Sequence, residues 1–323
     1  MDLLMEGKGQ FPPPDPDAHR LWNREKSRAL VNKVMSEKEA VAKFVRDNDY
    51  LIWDQNDLVS GPNSLLREII RQRRKNLWVA NKFTYCYTTL LYGAGCLGKL
   101  DVGFFPMGGI IKKAAEEGKI QTIEWTNWML VLRLLAGAMG LPFLPTRTLM
   151  GTDNLTFSGA KVVKDPFTGQ NICLVPALNP DVAIIHVNEC DIYGNARIYN
   201  PRCSPLESVM ASKKVIVSTE EIIDHEEVRR TPSKTSIPFY FVDAVVEAPF
   251  GAYPGTMPGL YRHDSDGIGA IFKSAASEEA MQVYLTDTCY SVESHEEFLD
   301  KRVGVKKLLE IKRGEEIREG YYL

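Results

Sequence analysis

Apolar residues along this chain of 323 fall into two alternating kinds of run. Short ones rich in β-branched and aromatic residues, YLIW at 50–53, LWVA at 77–80 and IQTIE at 120–124, have the length of strands. Between them lie longer runs whose apolar positions recur at helical spacing, predicting helices over 63–74, 109–117 and 127–139. Ser36 and Glu39 form a capping-box signature ahead of Ala40, Val41, Phe44 and Val45, which share one helical face, so a helix opens this region. Such alternation predicts βαβ units and an α/β fold: an open, mostly parallel sheet with helices on both faces.

The second half begins differently. Residues 172–178 and 182–187 are strongly apolar, CDIYGN supplies turn residues, and 196–199 returns, which predicts a hairpin joined to the sheet. A strand over 214–218, a helix over 219–227, a strand over 239–246 and surface helices over 278–284 and 295–301 complete the reading. Residues 1–35 are polar, with a Pro-rich opening and a charged, helix-like piece. They are read as an N-terminal extension, disordered or wrapped on a partner, ahead of a single α/β domain over 36–323.

Composition narrows the class. A 44% hydrophobic content supports a sizeable core, while a net charge of -3 leaves no electrostatic footprint for nucleic acid. The start lacks a basic region followed by an apolar one, and the longest apolar run, 129–144, contains Arg133 and Pro142 and is too short to cross a bilayer. The expectation is a cytoplasmic protein with no membrane partner. Six cysteines without a CxxC pair read as reduced, mostly buried thiols. His186, Glu189, Cys190 and Asp191 alternate along a strand and turn, so they point to different faces and no metal is expected. Ser204, Asp224 and His225 form no nucleophile elbow.

The order and spacing of DVAIIHVNECDIYGNARIYN (181–200), VSTEEIIDHEEVRRTPSK (217–234) and VDAVVEAPFGAYPG (242–255), with GLPFLP before them and FLDKRVGVKKLLEIK after, are not generic. Over roughly 36–315 the chain resembles the α subunits of family I CoA-transferases, glutaconate CoA-transferase-like above all, and it is similar also to α subunits of steroid-ring-opening CoA-ester hydrolases. The resemblance implies the NagB/RpiA-like sheet, coenzyme A as substrate with no permanently bound cofactor, and a partner β subunit. In that family a β-subunit glutamate within Ser-Glu-Asn-Gly attacks the acyl-CoA thioester. No such motif occurs here, so by resemblance this chain supplies one wall of a shared pocket.

Ligands of parallel sheets bind beyond the carboxyl ends of strands, which selects the loops 53–62, 81–95, 103–109 and 124–128. Where the family's α subunits usually read Gly-Gly-Phe, this chain has Asp54, Gln55 and Asn56, with Asp57 following. Two readings stay open: an altered acyl pocket, or an Asx-type turn capping the next helix. Gly103, Phe104, Phe105 and Met107 form either an apolar pocket wall or plain core, and Tyr85 and Tyr87 are strand residues or hydroxyl donors to a ligand. The hydrolase relatives place an acidic residue near Asn127, and an amide cannot act as a base. Glu124 and Asp54 are then the candidate acid/base groups for hydrolysis, Glu124 being otherwise a surface carboxylate. Arg67, Arg71, Arg73, Arg74 and Lys75 read as a solvated helix end or a CoA-phosphate contact, and Glu220, Glu221, Glu226, Glu227, Arg229 and Arg230 as an exposed helix. The functions in play are CoA transfer, ring-opening hydrolysis, and a non-catalytic scaffold that binds CoA esters.

Overall fold

The computed structural model describes residues 2–54, 58–84, 86–105 and 109–315. Its strands are β1 (Leu3–Glu6), β2 (Tyr50–Trp53), β3 (Leu77–Asn81), β4 (Leu97–Val102), β5 (Gln121–Glu124), β6 (Phe143–Thr146), β7 (Lys161–Lys164), β8 (Asn171–Pro176), β9 (Val182–Asp191), β10 (Ala196–Arg197), β11 (Lys214–Ile223) and β12 (Ala244–Glu247). The helices that matter for the site are α1 (Pro16–Glu25), α2 (Glu37–Phe44), α3 (Asn63–Arg71), α4 (Cys86–Gly93), α5 (Gly109–Glu116), α6 (Asn127–Ala138), α7 (Asn154–Phe157) and α8 (Pro205–Ala211). Helix α2 starts as expected: Ser36 caps Glu39 N while the Glu39 side chain returns to Ser36 N.

The main sheet runs β12-β11-β9-β2-β3-β4-β5, every neighbour parallel, with β10 folded back antiparallel on β9. The α/β parallel sheet and the hairpin read from the sequence are therefore both present. Period-two alternation assigns the two faces. Leu51 and Trp53 of β2 join Leu77, Val79, Val182 and Ile184 in a core covered by α3, α4 and α5, whereas Tyr50 and Ile52 join Ala80, Ala183 and Ile185 under α6 and α8. From β2 the chain steps outward through β3, β4 and β5, then returns to place β9 on the other side of β2. The order thus reverses between β2 and β9, and the ligand crevice expected of such a sheet is the space outside the carboxyl ends at that point.

Three expectations are corrected. Residues 172–178 do not join the main sheet: β8 lies in a separate antiparallel sheet, β1-β7-β8-β6, because the Asp165 side chain caps Phe167 N and Thr168 N and closes a β7–β8 hairpin. The helix placed over 219–227 begins only at His225. Thr219, Ile222 and Ile223 are β-branched, and β11 stays in register with β9 through Ile223 opposite Asp191. Residues 239–241 form a 3₁₀ turn, and β12 starts at Ala244.

The second sheet packs on α6 through Met129 and Leu130 against Val162, Cys173 and Val175. Ahead of α2, β1 pairs with β7, buried His19 of α1 hydrogen-bonds Met210 O at 3.0 Å, and Lys26 pairs with Asp243 at 2.8 Å.

Candidate functional site

The crevice is built where β2, β3 and the segment after β10 meet. Asp54 follows the last residue of β2 and Lys82 the last of β3; adjacent parallel strands bring their ends side by side. Lys82 Nζ stands 2.7 Å from Asp54 Oδ1 and donates to Ser204 Oγ at 2.7 Å, in an ion pair closed to water. Ser204 sits at the N-cap of α8 without using its hydroxyl as a cap, which leaves Oγ free for Lys82. Its backbone N–H donates to the same Asp54 Oδ1 at 3.2 Å. Asp54 Oδ2, equally buried, has no hydrogen-bond partner among the described residues. Cys203, beside Ser204, is exposed. Partial burial pushes its thiol above the ordinary range, and Asp54 pushes it further against the opposing pull of Lys82, so it is a weak nucleophile at neutral pH.

A second cluster forms at the ends of β3, β4 and β5. Gly103 N donates to Asn81 O at 3.2 Å, and Asn81 Oδ1 receives Phe83 N at 3.2 Å. A Cβ on Gly103 would run into the Asn127 side-chain oxygen and come within 2.9 Å of Asn127 Cα, so only glycine permits this approach. Asn127 opens α6 behind the cap made by Thr126, and its Oδ1 is buried without a donor among the described residues. Thr84 Oγ1 donates to Phe104 O and ties the β3 and β4 loops together.

The expected site residues are distributed as follows. Asp54, Gly103, Phe104 and Asn127 stand at strand ends of the main sheet, and Glu124 is the half-buried last residue of β5. Phe104 is 38% exposed, whereas Phe105 packs against the core. Gln55, Asn56, Asp57, Tyr85 and Met107 lie outside the described residues. Asp54 does not cap α3, whose N-cap is Pro62 without a side-chain bond. Lys82 was missed, and Ser204 was weighed only as a triad serine. A lysine two residues after the apolar run LWVA, inside a loop already selected by strand-end position, was the available signal.

The charged runs also read differently in three dimensions. Arg67 is fully buried. Its guanidinium donates to the Tyr87 hydroxyl and to Tyr253 O at 3.0 Å, lies over Phe298 at 4.2 Å and faces His295 Nδ1 at 2.9 Å. Burial, then the Arg67 charge, holds His295 well below its ordinary range, so the neutral ring accepts from Arg67 through Nδ1 and donates from Nε2 to Pro249 O. Arg71 pairs with Glu68. Neither arginine is part of a solvated helix end, and Arg73 and Lys75 lie exposed ahead of β3, at the end opposite the crevice. Tyr87 belongs to α4, not to a strand. Glu220 is no exposed helix residue: within β11 it accepts from Phe250 N at 2.7 Å and from the Tyr261 hydroxyl, and it contacts His186 Nε2 at 2.7 Å, tying the 249–261 segment to the sheet. His186 Nδ1 meets Ser218 Oγ at 2.9 Å. Among the described residues no three His, Cys, Asp or Glu side chains are grouped to hold a metal, and no helix is long and apolar enough to cross a membrane.

Comparison with known proteins places these features in context. The family model described as Coenzyme A transferase matches residues 34–248. The A-type subunit of glutaconate CoA-transferase from Acidaminococcus fermentans is 28% identical over 87% of this chain and 95% of its own. A solved structure of that organism's enzyme superposes with a TM-score of 0.83 at 29% identity, covering 87% of this chain and 95% of the other. The A-type subunit of 3-oxoadipate CoA-transferase from Pseudomonas knackmussii is 28% identical over 83% of this chain and 98% of its own. The cholesterol ring-cleaving hydrolase IpdA subunit of Rhodococcus jostii is 30% identical over 77% of this chain and 88% of its own.

Proposed function

Because the chain belongs to the coenzyme A transferase family, we propose that it is the A-type, or α, subunit of a heteromeric CoA-transferase, moving CoA between an acyl-CoA and a carboxylic acid in the cytoplasm. The observation that carries this reading is similarity along almost the whole length of the A-type subunits of two CoA-transferases. The chain contains no Ser-Glu-Asn-Gly sequence, and the nucleophilic carboxylate is assigned to a β subunit. On this reading the crevice between β2 and β9 takes the acyl end of the thioester. Asp54, Gln55, Asn56, Gly103, Phe104, Phe105, Met107 and Asn127 supply its wall, with Lys82 and Ser204 holding Asp54 in place. A buried, prearranged set of dipoles stabilises charge developing on the thioester oxygen better than water does, since it need not reorganise.

The decisive experiment co-expresses the chain with its β subunit, purifies the complex and incubates it with acyl-CoA esters, with and without acetate or succinate, under mass spectrometry. Acetyl-CoA or succinyl-CoA formed only with the acceptor, plus a CoA adduct trapped on a partner glutamate, supports transfer. A product heavier by one water, formed without acceptor, would transfer the assignment to hydrolysis, with Asp54 or Glu124 activating the water. Binding of esters without turnover would leave a scaffold role.

A further inference from the structure

We infer that Asp54 determines acyl specificity, its Oδ2 accepting a hydrogen bond from a hydroxyl on the acyl group of the CoA ester; this rests on the CoA-ester reading above. Oδ1 receives Lys82 Nζ at 2.7 Å, Ser204 N at 3.2 Å and Ser204 Oγ at 3.4 Å, while Oδ2 of the same buried carboxylate receives nothing among the described residues. A buried acceptor without a donor is destabilising, and native structures rarely leave one unless a water or ligand completes it. Its location selects a ligand: Asp54 directly follows β2 at the reversal of strand order, where parallel sheets bind substrates.

The charge of the cluster restricts the donor. Lys82 already neutralises Asp54, so a cationic group is not required. A second carboxylate on the acyl chain would meet Oδ2 with no proton between the two oxygens, which disfavours dicarboxylic acyl groups. A neutral hydroxyl satisfies both conditions. Depth restricts the source. The acyl group is the end of the ester farthest from the nucleotide, hence the part that an enclosed acceptor meets, while the pantetheine arm reaches the thioester from outside.

The test uses the complex with its β subunit. Four probes, hexanoyl-CoA and its 2-, 3- and 4-hydroxy derivatives, are compared, with affinity read by titration calorimetry and exchange followed separately. At least one hydroxy ester is expected to bind about 10- to 100-fold tighter than hexanoyl-CoA, as a hydrogen bond to a charged acceptor allows. That advantage should vanish in the Asp54→Leu, Lys82→Met double variant, which removes the pair without stranding either charge. Should that variant not fold, Asp54→Asn keeps the shape and must shrink the same ratio. Equal affinity for all four esters in the unaltered complex, or an equal loss for all four in the variants, overturns the inference and leaves Oδ2 to a buried water. The two readings fail separately. Asp54-dependent selection without CoA transfer to any acid would sink the transferase assignment alone, and transfer without selection would sink this one alone.

Discussion

Two buried ion pairs lie in the same sheet and differ in one respect. One residue before the end of β4, Asp101 accepts from Trp78 Nε1 at 2.9 Å through one oxygen, and from the Tyr50 hydroxyl and Arg133 Nη1, both at 2.5 Å, through the other. Just past the end of β2, Asp54 is as deeply buried, yet its donors among the described residues all crowd onto one oxygen. Inside the ladder, β2, β3 and α6 offer donors to Asp101 from several directions; past the end of β2, the donors to Asp54 among the described residues are Lys82 and Ser204. Burial and pairing alone therefore do not separate a structural carboxylate from a ligand-facing one. Asp101 and Asp54 differ in the completeness of their hydrogen bonding, and the proposal that Asp54 faces a ligand rests on that difference together with its place beyond a strand end.

A third buried carboxylate sharpens the contrast. Glu37, at the start of α2, forms no ion pair among the described residues; burial raises its pKa from 4.5 to about 7, and the charge of Arg67 opposes the rise only partly. The three carboxylates thus meet burial in three ways: full pairing, half pairing, and binding a proton.

The comparison can be broken by substitution. Asp101→Ala should have the largest effect, since it strands a fully buried Arg133, and urea unfolding should record a loss of about 3–5 kcal/mol; a loss below about 1 kcal/mol would remove the structural role given to that pair. Glu37→Gln comes next. A carboxyl whose folded pKa exceeds its unfolded value costs nothing while both states are protonated, below pH 4.5, and its penalty grows as pH rises toward about 7. The variant should therefore be more stable than the parent by about 2–3 kcal/mol at pH 8 and equal to it near pH 4; parallel stability–pH curves would contradict the assignment. Gly103→Ala should cost about 1–3 kcal/mol by pushing Asn127 aside, and kcat should fall with it if the β4–α6 junction lines the acyl site. The Asp54→Leu, Lys82→Met pair strands no charge and leaves Ser204 N without its acceptor, so it should cost about 1–2 kcal/mol, well below Asp101→Ala, while altering ester selection. A large stability loss there would make the two ion pairs alike.

The fold was legible wherever the physics is local. Strands at 50–53 and 77–80, the Ser36 cap and the hairpin after 187 follow from alternation, side-chain capping and turn residues, which act over a few positions. Positions 219–223 were misread because Glu220 and Glu221 favour a helix by composition, whereas the ladder with β9 overrides propensity. The charged residues were the least legible, since a guanidinium on a helix looks solvated until a distant segment covers it, as His295 and Phe298 cover Arg67.

Family, parallel architecture and the strand-end loops came from the sequence by itself, because residue order and apolar periodicity encode them directly. The meeting of Asp54, Lys82 and Ser204, which stand 28 and 122 positions apart along the chain, was decided only by tertiary structure. Sheet order sets which strand ends become neighbours. Whether a buried oxygen finds a donor depends on that arrangement in space, and no local pattern records it.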